Sequence, residues 1–257
     1  MTIYCGASAD EFIFFSQTNA TNVQFQKNEL LSNNGVVQTM WQTAYSVIYG
    51  CNSVISGVES ASGIHDSVKN ELIGEAEFVR AFSYFYLTNL FGEVPLVRTI
   101  NYNQTSLLQR SDSAEIYASI ISDLKDAQTR LAADYSVGGG QRIVPNKWAA
   151  TALLARVYLF QSDWQDAAAQ ASQVISNTSL FGLDPNLLNV FLINSTEAIW
   201  QLQQSNEIAP SFNNTPEASL LIPVTQTSQP LLYLTPTLLS AFEDSDMRRL
   251  LWVDSTV

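Results

Sequence analysis

The sequence predicts a mostly α-helical protein built on tetratricopeptide-like helical repeats, with a loop-rich region and minor short strands. Three observations carry that prediction. Long segments place apolar residues at intervals of three and four. Two adjacent helical segments are rich in alanine where they must approach each other. Past residue 178 the texture changes to Pro, Asn, Ser and Thr. On this reading residues 1–257 form a single domain. Its helical scaffold covers 36–177, its loop-rich region 178–235, and a helix with the start of a further element 236–257.

The elements follow in order. Residues 36–58 put Val37, Trp41, Ala44, Ile48, Cys51 and Ile55 on one helical face. Gly50 inside that helix costs about 1 kcal/mol against Ala, so it is expected to admit a close neighbour. Residues 66–91 form a second long helix with Asp66 as expected N-cap and Leu72, Ala76, Val79, Phe82 and Tyr86 along one side. Gly92 stops it, and EVPLV (93–97) reads as a short extended strand because Pro95 blocks a helix. The short turn between the two helices predicts an antiparallel hairpin. Residues 113–132 repeat the pattern through Ile116, Ile120, Leu124 and Leu131. Segments 146–161 and 164–177, joined by a tight turn, form a helix pair with Ala149, Ala152, Ala155, Ala168 and Ala171 at the approach. EAIWQLQ (197–203) suits a short strand, and 236–250 returns to helix with Pro236 at its start.

Charge and composition exclude whole classes of function. The chain holds 12 Lys and Arg against 24 Asp and Glu, a net charge of −12. An acidic chain repels phosphate backbones and anionic lipid surfaces, so no nucleic acid partner is expected. His65 is the only histidine, which rules out multi-His metal sites. Cys5 and Cys51 form no CxxC, and whether they pair is open. No cofactor or metal is implied. The opening MTIYCGASADEFIFF has neither a basic n-region nor an apolar h-region. No apolar run approaches a membrane span. The closing MRRLLWVDSTV reads as an interrupted element, so the domain is expected to be incomplete at its C-terminus and to expose an apolar face.

Few motifs carry chemistry. Glu75, Glu77 and Arg80 lie within one helical stretch and read as structural pairs. A glycosidase needs carboxylates on two sides of a sugar, which one helix does not supply. His65 has no GxSxG beside which to act, and Gly138–Gly140 lacks the GxxxxGK frame of a phosphate cradle. Asp123/Asp126 and Glu243/Asp244/Asp246 read as solvated helix faces rather than calcium ligands. Sequons at Asn19, Asn103, Asn177, Asn194 and Asn213 read as chance products of an Asn/Ser/Thr-rich chain. Aromatics on helical faces, Trp148 and Trp164 among them, are expected in the core. Phe25, Tyr102, Phe212 and Tyr233 instead fall in loop-like polar sequence. Sugar faces stack on rings while neighbouring amides bond the hydroxyls. Tyr102, Phe212, Asn213, Asn214 and Tyr233 are therefore the candidate ligand-binding residues, and no catalytic residue is assigned.

Four ordered stretches carry a resemblance. GEAEFVRAFSYFYLTNLFGEVPLV (74–97) is similar to a hallmark of the SusD/RagB family. WQTAYSVIYGCNSVI (41–55), KWAATALLARVYLFQSDWQDAAAQASQVI (147–175) and TPTLLSAFEDSDMRR (235–249) resemble that family in the same order. The resemblance implies a SusD-like α/α scaffold in a nutrient-binding outer-membrane lipoprotein of Bacteroidetes-type bacteria. It implies capture of glycans or oligosaccharides at the cell surface and their delivery to a TonB-dependent, SusC-like transporter, with no bond broken. Membrane attachment is then only through a lipid anchor of the full-length precursor, since this chain shows no signal peptide or lipobox. Two other readings are a tetratricopeptide adaptor for a protein partner and, more remotely, a helical glycoside hydrolase using Glu75 or Glu77.

Overall fold

A computed structural model describes residues 2–203, 220–222 and 229–253. The chain divides into two compact units, Met1–Met40 with Gln203–Val257, and Trp41–Leu202. The architecture is mostly α, as the periodicity predicts.

The second unit holds most of α3 (Gly35–Ser60), then α4 (Asp66–Phe91), α5 (Tyr102–Thr105), α6 (Ser113–Arg130), α7 (Lys147–Phe160) and α8 (Trp164–Ile175). α4 packs on α6, α6 on α7, and α7 on α8, a serial stack in which each helix buries one stripe. Phe78, Ala81, Phe85, Ile116, Ile120, Leu124, Leu154 and Val157 fill the core between them. Trp41 meets the Phe91 ring edge-on at 5.1 Å, so the start of α3 faces the end of α4 and the two run antiparallel.

Two glycines divide differently from expectation. A Cβ on Gly50 would meet nothing within 4 Å, so that glycine faces open space and admits no neighbour. Gly74 is the close-approach position. A Cβ there would lie 3.0 Å from the Arg130 Cβ and from Leu131 side-chain atoms, where α4 and α6 touch. The small side chains of α7 and α8 leave an apolar groove of about 340 Å³ lined by Ala155, Leu159, Trp164, Ala168 and Ala171. Trp164 is thus exposed at a groove rim rather than buried in the core.

The α4 ends also differ in detail. His65, not Asp66, is the N-cap: its backbone is extended and its Nδ1 accepts from the Ser67 N–H at 3.3 Å. Gly92 ends the helix in the left-handed region at φ +70°. Residues 93–97 form no strand beyond a single bridge, Val94 with Ser111. Side chains replace the missing ladder. Tyr45 Oη donates to the Pro95 carbonyl (2.8 Å), Asn52 Nδ2 donates to the Val97 carbonyl (2.9 Å), and the Val97 N–H donates to Tyr84 Oη (2.7 Å). Residues 197–203 are likewise not a strand. They are held by Arg142, whose carbonyl accepts from the Gln201 N–H at 2.7 Å.

The first unit contains α1 (Thr2–Ser8), β1 (Phe12–Phe14), α2 (Ala20–Gln26), β2 (Leu232–Leu234), α9 (Pro236–Ser240) and α10 (Met247–Trp252). β1 and β2 pair antiparallel with Ile13 opposite Tyr233. Ala7, Phe14, Phe25 and Leu232 form its buried cluster. Phe25 is therefore a core residue of α2, not a loop aromatic. Residues 236–250 are two short helices instead of one. The Asp246 side chain accepts from the Arg248 N–H at 2.9 Å and starts a new helix there, as a cap residue does. Cys5 and Cys51 are free thiols.

Candidate functional site

The second unit is organised around a buried charge. Arg80 on α4 donates through Nε to Asp123 Oδ2 and through Nη2 to Asp123 Oδ1, both at 2.8 Å. Its Nη1 donates to Asn52 Oδ1 on α3 at 2.7 Å. Arg98 reaches the same carboxylate, Nη2 to Oδ1 at 2.9 Å, and donates from Nη1 to Ser119 Oγ at 2.6 Å. Arg80 and Asp123 are both buried. This corrects two expectations. Arg80 is not paired within its own helix, and Asp123 is not on a solvated face. Arg80 points into the core, so its counter-charge has to come across from α6.

Glu77 sits one turn before Arg80 and pairs with Arg130 of α6 at 3.3 Å, without an aligned hydrogen bond. Burial pushes its carboxyl up to about 7; Arg130 opposes the rise, and Asp123 and Asp126 add to it. Glu75 is also raised, by burial first and then by Glu71. Glu77 thus lies buried at the α4–α6 contact, facing Arg130. Among the described residues no group of three or more His, Cys, Asp or Glu side chains is arranged to hold a metal.

The network has a consequence for the surface. Arg98 anchors one end of the segment that follows α4. Arg110 anchors the other: it donates to the Glu93 carbonyl and stands 5.4 Å over the Trp41 ring. Between these two arginines the chain rises into α5. Asn101 caps that single turn, its Oδ1 accepting from the Asn103 N–H at 3.0 Å. Tyr102 is 77% exposed, with Asn101 and Asn103 exposed on either side. An open phenol ring between amides offers an apolar face and hydrogen-bonding groups together, the pairing that pyranose rings require.

The other candidates are placed differently. Tyr233 lies in β2, in the first unit, whereas Tyr102 belongs to the second. The Tyr233 ring stands 5.8 Å from that of Phe15, and its hydroxyl donates to Gln229 Oε1 at 2.5 Å. Phe212, Asn213 and Asn214 lie outside the described residues. His65 is committed to its cap.

Sequence reasoning missed Asn52 and Arg142. Asn52 was legible as an amide on an otherwise apolar helical face, a buried polar group that must find partners. Arg142 is the hub of the loop after α8. Its Nη1 donates to Ala198 O (2.6 Å) and Tyr135 Oη (2.9 Å), and its Nη2 donates to Leu180 O (2.7 Å). No local spacing announces contacts to positions so far along the chain.

A family model described as "Starch-binding associating with outer membrane" (SusD-like) matches residues 2–159. The chain belongs to the SusD-like family. SusD-like protein P2 of Formosa agariphila is 33% identical over 171 residues, 65% of this chain and 33% of the relative. A SusD superfamily protein from Parabacteroides distasonis has a TM-score of 0.82 at 25% identity, covering 96% of this chain and 55% of that one. A solved structure with xylogluco-oligosaccharide has a TM-score of 0.78 at 24% identity, covering 96% and 51%, a likeness of fold. The chain spans about a third of the length of the curated relatives it matches.

Proposed function

We propose that this chain is a non-enzymatic binding protein that captures oligosaccharides at the cell surface and passes them to a SusC-like TonB-dependent transporter in the outer membrane. The observation that carries the reading is the family match over residues 2–159, whose description couples starch binding to the outer membrane. The open Tyr102 ring between Asn101 and Asn103 supports it, as does the likeness to a structure with xylogluco-oligosaccharide. The candidate ligand contacts are Tyr102 in the second unit and, separately, Phe212, Asn213, Asn214 and Tyr233 in the first. Tyr102 supplies a stacking face, and the asparagines bond sugar hydroxyls. Glu77 and Asp123 engage arginines across the α4–α6 contact, which favours a structural role for them. In the full-length precursor a lipid anchor attaches the protein to the outer membrane. Isothermal titration against neutral oligosaccharides, with a reporter-glycoside hydrolysis assay in parallel, tests this. Saturable heat without hydrolysis is expected. Hydrolysis lost in Glu75→Gln or Glu77→Gln overturns the non-enzymatic reading.

A further inference from the structure

The hydrogen bonds around Asp123 close a ring. Asp123 accepts from Arg80, and Arg80 Nη1 donates to Asn52 Oδ1 at 2.7 Å. Asn52 spends its own amide N–H on the segment that follows α4, Nδ2 donating to the Val97 carbonyl at 2.9 Å. The next residue is Arg98, whose guanidinium returns to Asp123 Oδ1 at 2.9 Å and to Ser119 Oγ at 2.6 Å. One carboxylate thus holds residues 97–98 from two directions, through Asn52 at the Val97 carbonyl and through the Arg98 side chain. Tyr84 Oη adds a third hold, accepting the Val97 N–H at 2.7 Å.

Neutralising Arg80 does not require all of this. Two bonds of 2.8 Å already join Arg80 to Asp123, between side chains only 4% and 2% exposed. The Arg98 side chain is 43% exposed, and an ion pair that open to water adds little stability. What Arg98 adds is position. It stands at the base of α5, four residues before Tyr102. Thr99 Oγ1 accepts from the Asn101 N–H at 3.2 Å, and the Asn101 carbonyl accepts from the Gln104 and Thr105 N–H groups, both at 3.0 Å. The path from the buried carboxylate to the open ring therefore carries hydrogen bonds at residues 97, 98, 99 and 101. A helix of one turn is marginal in water, so α5 takes its order from this base.

We propose that Arg98 and Asn52 are positioning residues for sugar capture: through the ring on Asp123 they hold the base of α5, so that the Tyr102 face is ordered before a sugar arrives. The inference rests on the reading of Tyr102 as the stacking face. Preordering a binding segment removes an ordering cost from the binding step, and losing that order shows as weaker affinity.

The experiment uses the full chain and two readouts. Hydrogen–deuterium exchange, followed by mass spectrometry, reports the amides of 99–106 with no ligand present. Isothermal titration with xylogluco-, laminari- and malto-oligosaccharides reports affinity. Arg98→Gln removes the guanidinium and leaves the Arg80–Asp123 pair in place. Asn52→Asp keeps an acceptor for Arg80 but has no N–H for the Val97 carbonyl. Each is expected to speed exchange across 99–106 about three- to tenfold and to weaken sugar binding by a similar factor. In a Tyr102→Ala background neither is expected to weaken binding further, because the effect passes through that ring. Gly74→Val, which strains the α4–α6 contact away from the turn, is expected to lower the urea midpoint and leave both readouts at their wild-type values. Wild-type exchange in Arg98→Gln and Asn52→Asp, or weakening as large without Tyr102 as with it, overturns the positioning role. Gly74→Val reproducing both effects overturns it too, since lost stability then accounts for them. Titrations without heat for every sugar in the wild type overturn capture and the sugar role with it, and the exchange rates then decide separately whether the ring orders the turn.

Discussion

Asp123 neutralises two arginines at once, and its removal leaves both without their counter-charge. Arg80, which is 3% exposed, has no route to water. Breaking a buried pair from one side costs roughly 3–5 kcal/mol. Asp123→Ala is therefore expected to lower the urea midpoint by that equivalent, and an unchanged midpoint contradicts the network. Glu77 makes a second residue-scale prediction. Its carboxyl is raised from 4.5 to about 7, so the folded state holds the proton more tightly than the unfolded chain. Folded stability from this group then falls as pH rises between 4.5 and about 7, and is fully lost above. Glu77→Gln is expected to flatten that part of the stability–pH curve in thermal melts, and a slope unchanged from wild type contradicts the assignment. Sequence spacing brought Glu77 and Arg80 together because they are neighbours on a helix surface. It could not weigh that against a partner 43 residues away, since spacing reports surface neighbours and not which way a side chain faces the core.

At the scale of elements, the long helices were legible because their apolar stripes are long and periodic. Segments 93–97 and 197–203 were not, because their backbone groups bond to side chains, and in the second also to the Arg142 carbonyl, rather than to a strand. Tyr45, Asn52 and Tyr84 hold the first; Tyr135 and Arg142 hold the second, with Tyr135 Oη donating to Ile199 O at 2.8 Å. Propensity sees extended residues in both and cannot see the missing ladder. Glycine was misread for a related reason. A glycine inside a helical pattern signals either a close neighbour or none, and only packing tells them apart. The two glycines give a paired test. Gly50→Ala is expected to stabilise by about 0.5–1 kcal/mol, because it gains helix propensity in open space. Gly74→Val is expected to destabilise by about 1–3 kcal/mol, because its methyls must displace Leu131 and the Arg130 stem at the α4–α6 contact. Chemical denaturation of both variants checks this, and the reverse order of stabilities contradicts the packing account.

For the whole molecule, composition excluded classes of function, and the ordered motifs supplied one. A net charge of −12 disfavours a phosphate-backbone partner, and His65 is the one histidine of the sequence. The ordered family stretches then supplied the class. The site was less legible than the scaffold. Tyr102 was readable as a ring between amides, yet its standing on a turn held by Arg98 and Arg110 depends on contacts that only folding makes. Tyr233 looked equally exposed in sequence, but pairing with β1 and the Phe15 contact bury part of it.

The central claim is that this chain captures oligosaccharides, with Tyr102 as a stacking face. Isothermal titration of wild type and Tyr102→Ala against xylogluco-, laminari- and malto-oligosaccharides tests it most directly. The account predicts saturable binding of at least one of these, weakened about tenfold or more in Tyr102→Ala while the helical circular dichroism signal is unchanged. Heat-silent titrations with every oligosaccharide contradict capture, and equal affinity of the two proteins contradicts the placement of the site at Tyr102.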